Sequence, residues 1–168
     1  LTAHHGHDGS VSLVDDLRAV VADGSVTAPV PTEFRSDWFG RTGHADVLVR
    51  AGSVADVAAA VGRCAESGVA VIPIGGNTGL VGGTLSQREG PTVALSLAGL
   101  TAVEIEPVTA TATVQAGVTI ADLHRAARDH GLTYGVDLAS RDSATVGGTI
   151  ATNAGGVHVC AYGTTRQQ

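Results

Sequence analysis

The sequence contains no lysine, so all ten of its basic residues are arginines, and the net charge is −6. The arginines are scattered along the chain, which disfavours nucleic acid as a partner. The absence of lysine also excludes a phosphate-binding P-loop, because the motif G-x-x-x-x-G-K-[ST] needs a lysine to reach the outer phosphates. Any phosphate site in this chain must therefore use other groups.

Cysteine is equally scarce. Cys64 and Cys160 are the only two, far apart and without a neighbouring cysteine or histidine at ligand spacing, so neither a disulfide framework nor a zinc site is predicted. His4, His5 and His7 stand in a glycine-flanked terminal stretch that we expect to be a disordered tail. No metal site is predicted.

Long hydrophobic runs are also missing. No run approaches the roughly 20 apolar residues of a membrane-spanning helix, and the start LTAHHGHDGS lacks the basic-then-apolar layout of a secretory signal. With 43% hydrophobic and 15% charged residues, the composition is that of a folded chain. We expect a cytoplasmic protein with no transmembrane segment.

Glycine is abundant and concentrated in two places. The first glycine segment is PIGGNTGLVGG, residues 73–83, and the second glycine segment is SATVGGTIATNAGG, residues 143–156. Glycine at this density predicts loops whose backbone N–H groups face a ligand, most simply an anion. Two such loops suggest one extended ligand, although either could instead be a tight chain reversal.

The spacing of the glycines disfavours an ordinary dinucleotide fold. Gly76, Gly79 and Gly82 fall three residues apart, no helical period follows them, and the G-x-G-x-x-G fingerprint is therefore absent. What remains is a loop that binds phosphate through backbone amides, with Asn77 and Thr78 adding side-chain donors. A pyrophosphate suits such a loop.

The first half of the chain predicts a β-α-β unit after an amphipathic helix at residues 10–24. DVLVR, VAVIPI and TVALSL are predicted strands, and Ser53 with Asp56 caps a helix that ends at Gly68. The residues predicted to face inward on that helix are Val54, Val57, Ala58, Val61 and Ala65. A helix between strands predicts parallel pairing.

Two further regions complete the organisation. The connector EFRSDWFGRTGHAD, residues 33–46, has no clear period and is predicted to be a lid or a strand-poor link that packs its aromatic side chains on the next lobe. VEIEP and ATATVQAG predict a β-hairpin, and Thr119 with Asp122 caps a helix that ends at Gly131. Asp137 is expected either to cap a turn or to bind a ribose hydroxyl.

This order of elements, with PIGGNTGLVGG and GVDLASRDSATVGGTIATNAGG in it, resembles the flavin-binding domain of the vanillyl-alcohol oxidase superfamily. Within it, the chain is most similar to the FAD-linked 2-hydroxyacid dehydrogenases, over residues 34–168. The resemblance implies an α+β, PCMH-type FAD-binding fold, with a small β-α-β lobe and the start of a second, mixed-sheet lobe. Residues 1–33 are expected to be an N-terminal helix and linker.

The resemblance also implies FAD as the cofactor and assigns its binding residues. In the first glycine segment these are Pro73, Ile74, Gly75, Gly76, Asn77, Thr78, Gly79, Leu80 and Gly83. In the second they are Ser143, Thr145, Val146, Gly147, Gly148, Asn153 and Gly156.

Three departures from the family pattern qualify this assignment. Several relatives attach FAD covalently through a histidine where Asn77 stands, so non-covalent FAD is implied here. Ile74 replaces an arginine that often precedes the paired glycines, which removes one charged contact. The second half of the flavin lobe and the substrate cap domain, which supplies the catalytic base in relatives, are expected to lie outside these 168 residues.

The function implied is oxidation of a 2-hydroxy acid to a 2-oxo acid by hydride transfer to flavin N5, with a separate electron acceptor. The 168 residues alone are expected to be inactive, no catalytic residue is assigned, and a homo-oligomer is allowed. Two alternatives stay open: a non-catalytic module that binds FAD or another nucleotide, and a glycine-rich lobe that binds no nucleotide.

Overall fold

The computed structural model describes residues 8–168, so the predicted histidine tail lies outside the described residues. The helices are α1 (Asp8–Arg18), α2 (Val54–Glu66), α3 (Ile120–Asp129), α4 (Val146–Thr152) and α5 (Val159–Tyr162). The strands are β1 (Val26–Thr27), β2 (Val47–Arg50), β3 (Ala70–Ile74), β4 (Thr92–Ser96), β5 (Val103–Glu106) and β6 (Thr111–Val114). Within this range, no helix combines the length and apolarity of a membrane span.

The first lobe is a four-stranded sheet in the order β1-β2-β4-β3. β4 pairs in parallel with both β2 and β3, and only β1 is antiparallel. The predicted parallel β-α-β unit is therefore confirmed, with α2 as its crossover. Because β4 lies in the centre, all five of its residues are buried, which accounts for its apolar composition.

Both faces of this sheet are covered. Side chains alternate along β2, so Val47 and Val49 pack with α1 and α2 on one face, while Leu48 packs on the other. The second face is closed by Val30 and by Phe34 of the connector. The connector, which supplies Phe34 to this face, also contacts the first glycine segment.

The second lobe is built on the predicted hairpin. β5 pairs antiparallel with β6, with Val103 opposite Val114, and α3 packs against it. Its core contains Val118, Ile120, Leu123, Ala144 and Val146. Because Ala144 and Val146 come from the second glycine segment, that segment belongs to the core of this lobe.

The inward face predicted for α2 is confirmed at Val57 but wrong at Val54, Ala58, Val61 and Ala65. Val54 and Val61 are exposed, and Ala60 and Cys64 are the buried residues. The helix is rich in small apolar residues, so the sequence offers two stripes of helical period. The sheet selects the stripe that contains Val57, Ala60 and Cys64, because smaller side chains allow closer approach of helix and sheet.

Two other predictions need adjustment. α1 ends at Arg18, well before Gly24, so Val20 is exposed, although Val21 still reaches the core. The connector packs only one of its aromatic side chains, Phe34, against the sheet. Trp38 and Phe39 are 77% and 64% exposed.

The helix caps form as predicted. Ser53 Oγ accepts a hydrogen bond from the Asp56 amide at 3.1 Å, and Thr119 Oγ1 accepts one from the Asp122 amide at 3.1 Å. The Asp56 carboxylate also accepts from the Ala22 amide at 3.2 Å, which links α2 to the chain after α1. The hydroxyl of Ser53 and the amide of Ala22 together hold the pKa of Asp56 below its ordinary value of 3.8.

We predict that Asp56→Asn lowers the thermal unfolding midpoint at neutral pH. Because the folded-state pKa of Asp56 lies below 3.8, its carboxylate stabilises the fold above that pH, and the contribution is lost as the pH falls through the folded pKa. The difference between wild type and variant should therefore narrow on acidification. Asp142→Asn, at an exposed carboxylate, is the control and should match wild type throughout. A gap that is independent of pH would contradict this role for Asp56.

Candidate cofactor-binding site

A pocket of about 480 Å³ lies between the first glycine segment and α4. One wall is the loop that follows β3, where the chain leaves the sheet at its carboxyl end. The opposite wall is formed by small residues of α4 and by the turn before it, including Ser140 and Thr145. The structure thus brings the two glycine segments together on one cavity, as the two-loop interpretation requires.

The first glycine segment carries unused hydrogen-bond donors. Past Ile74 the chain has neither helix nor strand until β4. Among the described residues, no carbonyl or side chain accepts a hydrogen bond from any backbone N–H of residues 75–84. Donors in such a row form a concave surface suited to an anion.

The second glycine segment is different, and the prediction that it is a loop is wrong. Residues 146–152 form α4, whose N-cap is Thr145. Most of its backbone donors are used inside the protein; the amides of Val146 and Gly147, for example, donate to the carbonyl oxygens of Val118 and Ala116. α4 therefore offers the pocket a surface of small side chains rather than a row of free amides.

The two glycine segments are in contact at Gly75 and Gly76 of the first. A Cβ on Gly75 would overlap Thr145 Oγ1, and a Cβ on Gly76 would overlap the carbonyl oxygen of Ser143. Gly79 has nothing within 4 Å of its Cβ position. The paired glycines are thus needed for packing between the lobes, whereas Gly79 faces open space.

The predicted site residues divide into two groups. Those that line the pocket are Pro73, Gly75, Gly76, Asn77, Thr78, Gly79, Leu80, Gly83, Thr145 and Gly148. Those that do not line it are Ile74, Ser143, Val146, Gly147, Asn153 and Gly156. Ile74 and Val146 are buried in the hydrophobic cores, and Asn153 ends α4 in a left-handed conformation, φ 52°.

Other lining residues were missed by the sequence analysis. They are Val81, Thr84, Leu138, Ser140, Ala144, Thr149, Ala151, Thr152 and Ala154. Gly148, Ala151 and Thr152 have the i, i+3, i+4 spacing of one helical face. That signal was present in the sequence, but two adjacent glycines at the helix start concealed it.

The side chain of Asn77 was predicted to donate hydrogen bonds to a ligand, but in the structure it is bonded within the protein. Its Nδ2 donates to the carbonyl oxygens of Glu33 at 2.9 Å and Ser36 at 2.8 Å, and its Oδ1 accepts from Thr84 Oγ1 at 2.8 Å. Both amide hydrogens are therefore used within the protein. Only the backbone N–H of Asn77 remains for a ligand.

Within residues 8–168, no ionisable side chain lines the pocket. The nearest charged group with a contact to the loop is Arg41, whose Nη2 donates to the Leu80 carbonyl oxygen at 3.1 Å. Arg41 is itself held by the buried Asp37. Burial alone would raise the pKa of Asp37, but hydrogen bonds from Arg41 and Phe39 outweigh it and hold the pKa below its ordinary value.

Asp137 lies near this region but outside the lining. Its Oδ2 pairs with Arg141 at 2.9 Å, and its Oδ1 is buried with no hydrogen-bond partner among the described residues. The pairing agrees with a role in the turn, and a ribose contact stays a prediction. In the described part of the chain, no group of three or more histidine, cysteine or carboxylate residues could hold a metal ion.

Solved structures share this fold. The alkyldihydroxyacetonephosphate synthase structure superposes with a TM-score of 0.79 at 23% identity, covering 92% of this chain and 31% of that one. The structure of 6-hydroxy-D-nicotine oxidase from Arthrobacter nicotinovorans gives 0.71 at 21% identity, covering 88% and 32%. The α+β, PCMH-type FAD-binding fold predicted from the sequence is confirmed.

The family is also established by sequence. The profile of the FAD binding domain matches residues 45–168, and the chain belongs to that family. D-2-hydroxyglutarate dehydrogenase of Xanthomonas citri pv. viticola is 42% identical over 144 residues, 84% of this chain and 30% of that protein. D-lactate dehydrogenase of Anaerostipes hadrus is 41% identical over 122 residues, 72% and 25%. The chain therefore spans less than a third of the length of these relatives.

FAD is thus the cofactor of this family member, and the pocket fits it. The unused backbone N–H groups of residues 75–84 suit a pyrophosphate. The lining is neutral and built from small side chains, so it presents no carboxylate to repel an anionic ligand.

We predict that adding one methyl group destabilises the fold at Gly76 but not at Gly79. Gly76→Ala should lower the free energy of unfolding by about 1–3 kcal/mol, because the Ser143 carbonyl oxygen belongs to the backbone and cannot easily move. Gly79→Ala should change it by less than about 0.5 kcal/mol, since its Cβ position is open. Chemical denaturation of the 168-residue chain measures both. Equal stability of the two variants would contradict the packing described here.

Proposed function

We propose that this chain is the FAD-holding part of a flavoprotein that oxidises a 2-hydroxy acid to a 2-oxo acid. The observation that carries the proposal is the 42% identity to a D-2-hydroxyglutarate dehydrogenase across 84% of the chain. A D-lactate dehydrogenase is similar at 41% identity. D-2-Hydroxyglutarate and D-lactate are both 2-hydroxy acids, so the substrate class follows from either relative.

In this proposal the first glycine segment holds the pyrophosphate through the backbone N–H groups of residues 75–79, with the hydroxyl of Thr78 as an added donor. The small face of α4, including Gly148 and Thr152, lies against the rest of the cofactor. Attachment is non-covalent, because an amide such as that of Asn77 is not a nucleophile and its hydrogens are already bonded.

Bound FAD supplies the acceptor for the hydride that leaves the α-carbon of the substrate. The chain itself binds the cofactor, fixes its orientation and shields part of it from water. None of the lining side chains ionises, so the base that takes the hydroxyl proton comes from outside this pocket. The proposal thus separates the cofactor site from the residues that recognise the substrate.

Two partners complete the proposal. Reduced flavin must pass its electrons on, and as a dehydrogenase this protein would use a separate electron acceptor. Homo-oligomerisation is supported by exposed apolar side chains beside the pocket, among them Trp38, Phe39 and Val81.

We predict that the natural protein carrying this sequence is yellow and releases FAD into the supernatant on acid precipitation. Anaerobic addition of D-2-hydroxyglutarate or D-lactate should bleach the flavin absorbance, because electrons enter FAD and cannot leave. The L-enantiomers are the matched controls and should leave the absorbance unchanged.

Two results would overturn parts of this proposal. A yellow protein that no 2-hydroxy acid bleaches would instead be a non-catalytic FAD-binding module, which a lining without ionisable groups would also suit. A colourless protein that takes up no added FAD would remove the cofactor role itself. Flavin that stays with the acid precipitate would contradict non-covalent attachment.

A further inference from the structure

The connector, residues 33–46, contacts the first glycine segment at two places and the chain just after it at a third. Near the start of the segment, Asn77 Nδ2 donates to the carbonyl oxygens of Glu33 and Ser36. At its centre, Arg41 Nη2 donates to the carbonyl oxygen of Leu80. Beyond its end, the amide of His44 donates to the carbonyl oxygen of Ser86 at 3.0 Å. The connector therefore runs alongside the whole loop.

Asn77 makes the densest of these contacts. Carbonyl oxygens only accept hydrogen bonds, so the amide nitrogen of Asn77 must face Glu33 and Ser36, and its oxygen must face the Thr84 hydroxyl. Its backbone has a φ of 51°, a left-handed conformation that asparagine tolerates better than most residues. The residue type thus suits both the backbone and the three side-chain bonds.

Arg41 is the second tether and is rigidly held. Its Nε donates to Asp37 Oδ2 at 2.6 Å, and the other Asp37 oxygen accepts from the amides of Phe39 and Arg41 at 3.0 and 2.9 Å. The Asp37 side chain is fully buried. Asp37 therefore fixes the position of the Arg41 guanidinium, which donates to the carbonyl oxygen of Leu80.

A glycine-rich loop needs such restraint. Glycine has the greatest backbone freedom of any residue, and ordering a loop at the moment of binding costs free energy that a preorganised loop does not lose. Among the described residues, no backbone N–H of residues 75–84 is fixed by a bond within the protein. Gly75 and Gly76 are restrained by their packing on Thr145 and Ser143, and the segment beyond them is restrained by its side-chain and carbonyl contacts with the connector.

We propose that Asn77 is a positioning residue, whose side chain ties the first glycine segment to the connector and so holds the backbone N–H groups in place for the cofactor. Arg41 acts as a second tether. This inference rests on the proposed role of the pocket in holding FAD. It gives a function to residues 33–44, which precede the family match at 45–168.

The test compares Asn77→Asp and Asn77→Gly with wild type, using the natural protein carrying this sequence for FAD affinity and the 168-residue chain for tryptophan anisotropy. Asp keeps the acceptor for Thr84 but replaces both donors with an oxygen that faces two carbonyl groups. Gly keeps the left-handed backbone, removes all three bonds and introduces no repulsion, so it decides the question if the Asp variant does not fold. The matched control is Gln115→Glu, another amide-to-acid change, where the oxygen that accepts from the Ala102 amide is retained.

Two quantities are measured below the unfolding temperature: FAD affinity by flavin fluorescence titration, and the anisotropy of tryptophan emission without FAD. Trp38 is the only tryptophan and lies in the connector, two residues from Ser36. Loss of two hydrogen bonds should weaken FAD binding about tenfold or more and lower the anisotropy. Gln115→Glu should change neither quantity.

The outcomes separate this inference from the proposed function. FAD affinity of the Gly variant within about twofold of wild type would overturn the positioning role. Weaker FAD binding with unchanged Trp38 anisotropy would also overturn it, since Asn77 would then act on the cofactor directly. Absence of FAD binding by the natural protein carrying this sequence would contradict the proposed function, and the anisotropy measured without FAD would still decide whether the tether exists.

Discussion

The close approach of Gly75 and Gly76 to the second glycine segment is the constraint on which the rest of the site depends. Any Cβ at these positions would overlap Thr145 or the Ser143 carbonyl oxygen. The first glycine segment can therefore lie directly on the turn before α4, and the two lobes meet without a gap at that point. The pocket is the space that opens beside this contact.

The two segments contribute in different ways because their backbones are bonded differently. The second segment uses most of its donors within α4 and on the hairpin lobe, so it forms an ordered wall. The first has left the sheet and has no helix to enter, so its donors stay unused. A neutral pocket can attract an anion only through such dipoles. The first glycine segment, whose backbone donors are unbonded among the described residues, thus supplies the attraction for an anion. α4 supplies the shape of the pocket wall.

What could be predicted from the sequence was local or shared with the family. The capping residues Ser53 and Thr119, the strands and the parallel β-α-β unit follow from short patterns, and the pair of glycine segments identified the cofactor. The inward face of α2 could not be predicted, since stripes through Val54 and through Ala60 have the same period and only the sheet distinguishes them. α4 was missed because Gly147 and Gly148 disfavour a helix locally. Gly147 is required there for a different reason: a Cβ would lie 2.8 Å from that of Ala116.

The contribution of the connector could not be read from the sequence at all, for a physical reason. Asn77 reaches the connector through the carbonyl oxygens of Glu33 and Ser36. Arg41 of the connector reaches the loop through the carbonyl oxygen of Leu80, and every residue type carries such an oxygen. No pattern of side chains marks a segment that serves as an acceptor. The aromatic residues suggested packing, yet Trp38 and Phe39 are exposed. The backbone donors of this loop must stay unbonded to be available to a ligand, so hydrogen bonds can restrain the loop only through its side chains and carbonyl groups. The connector makes such bonds without using any of the donors.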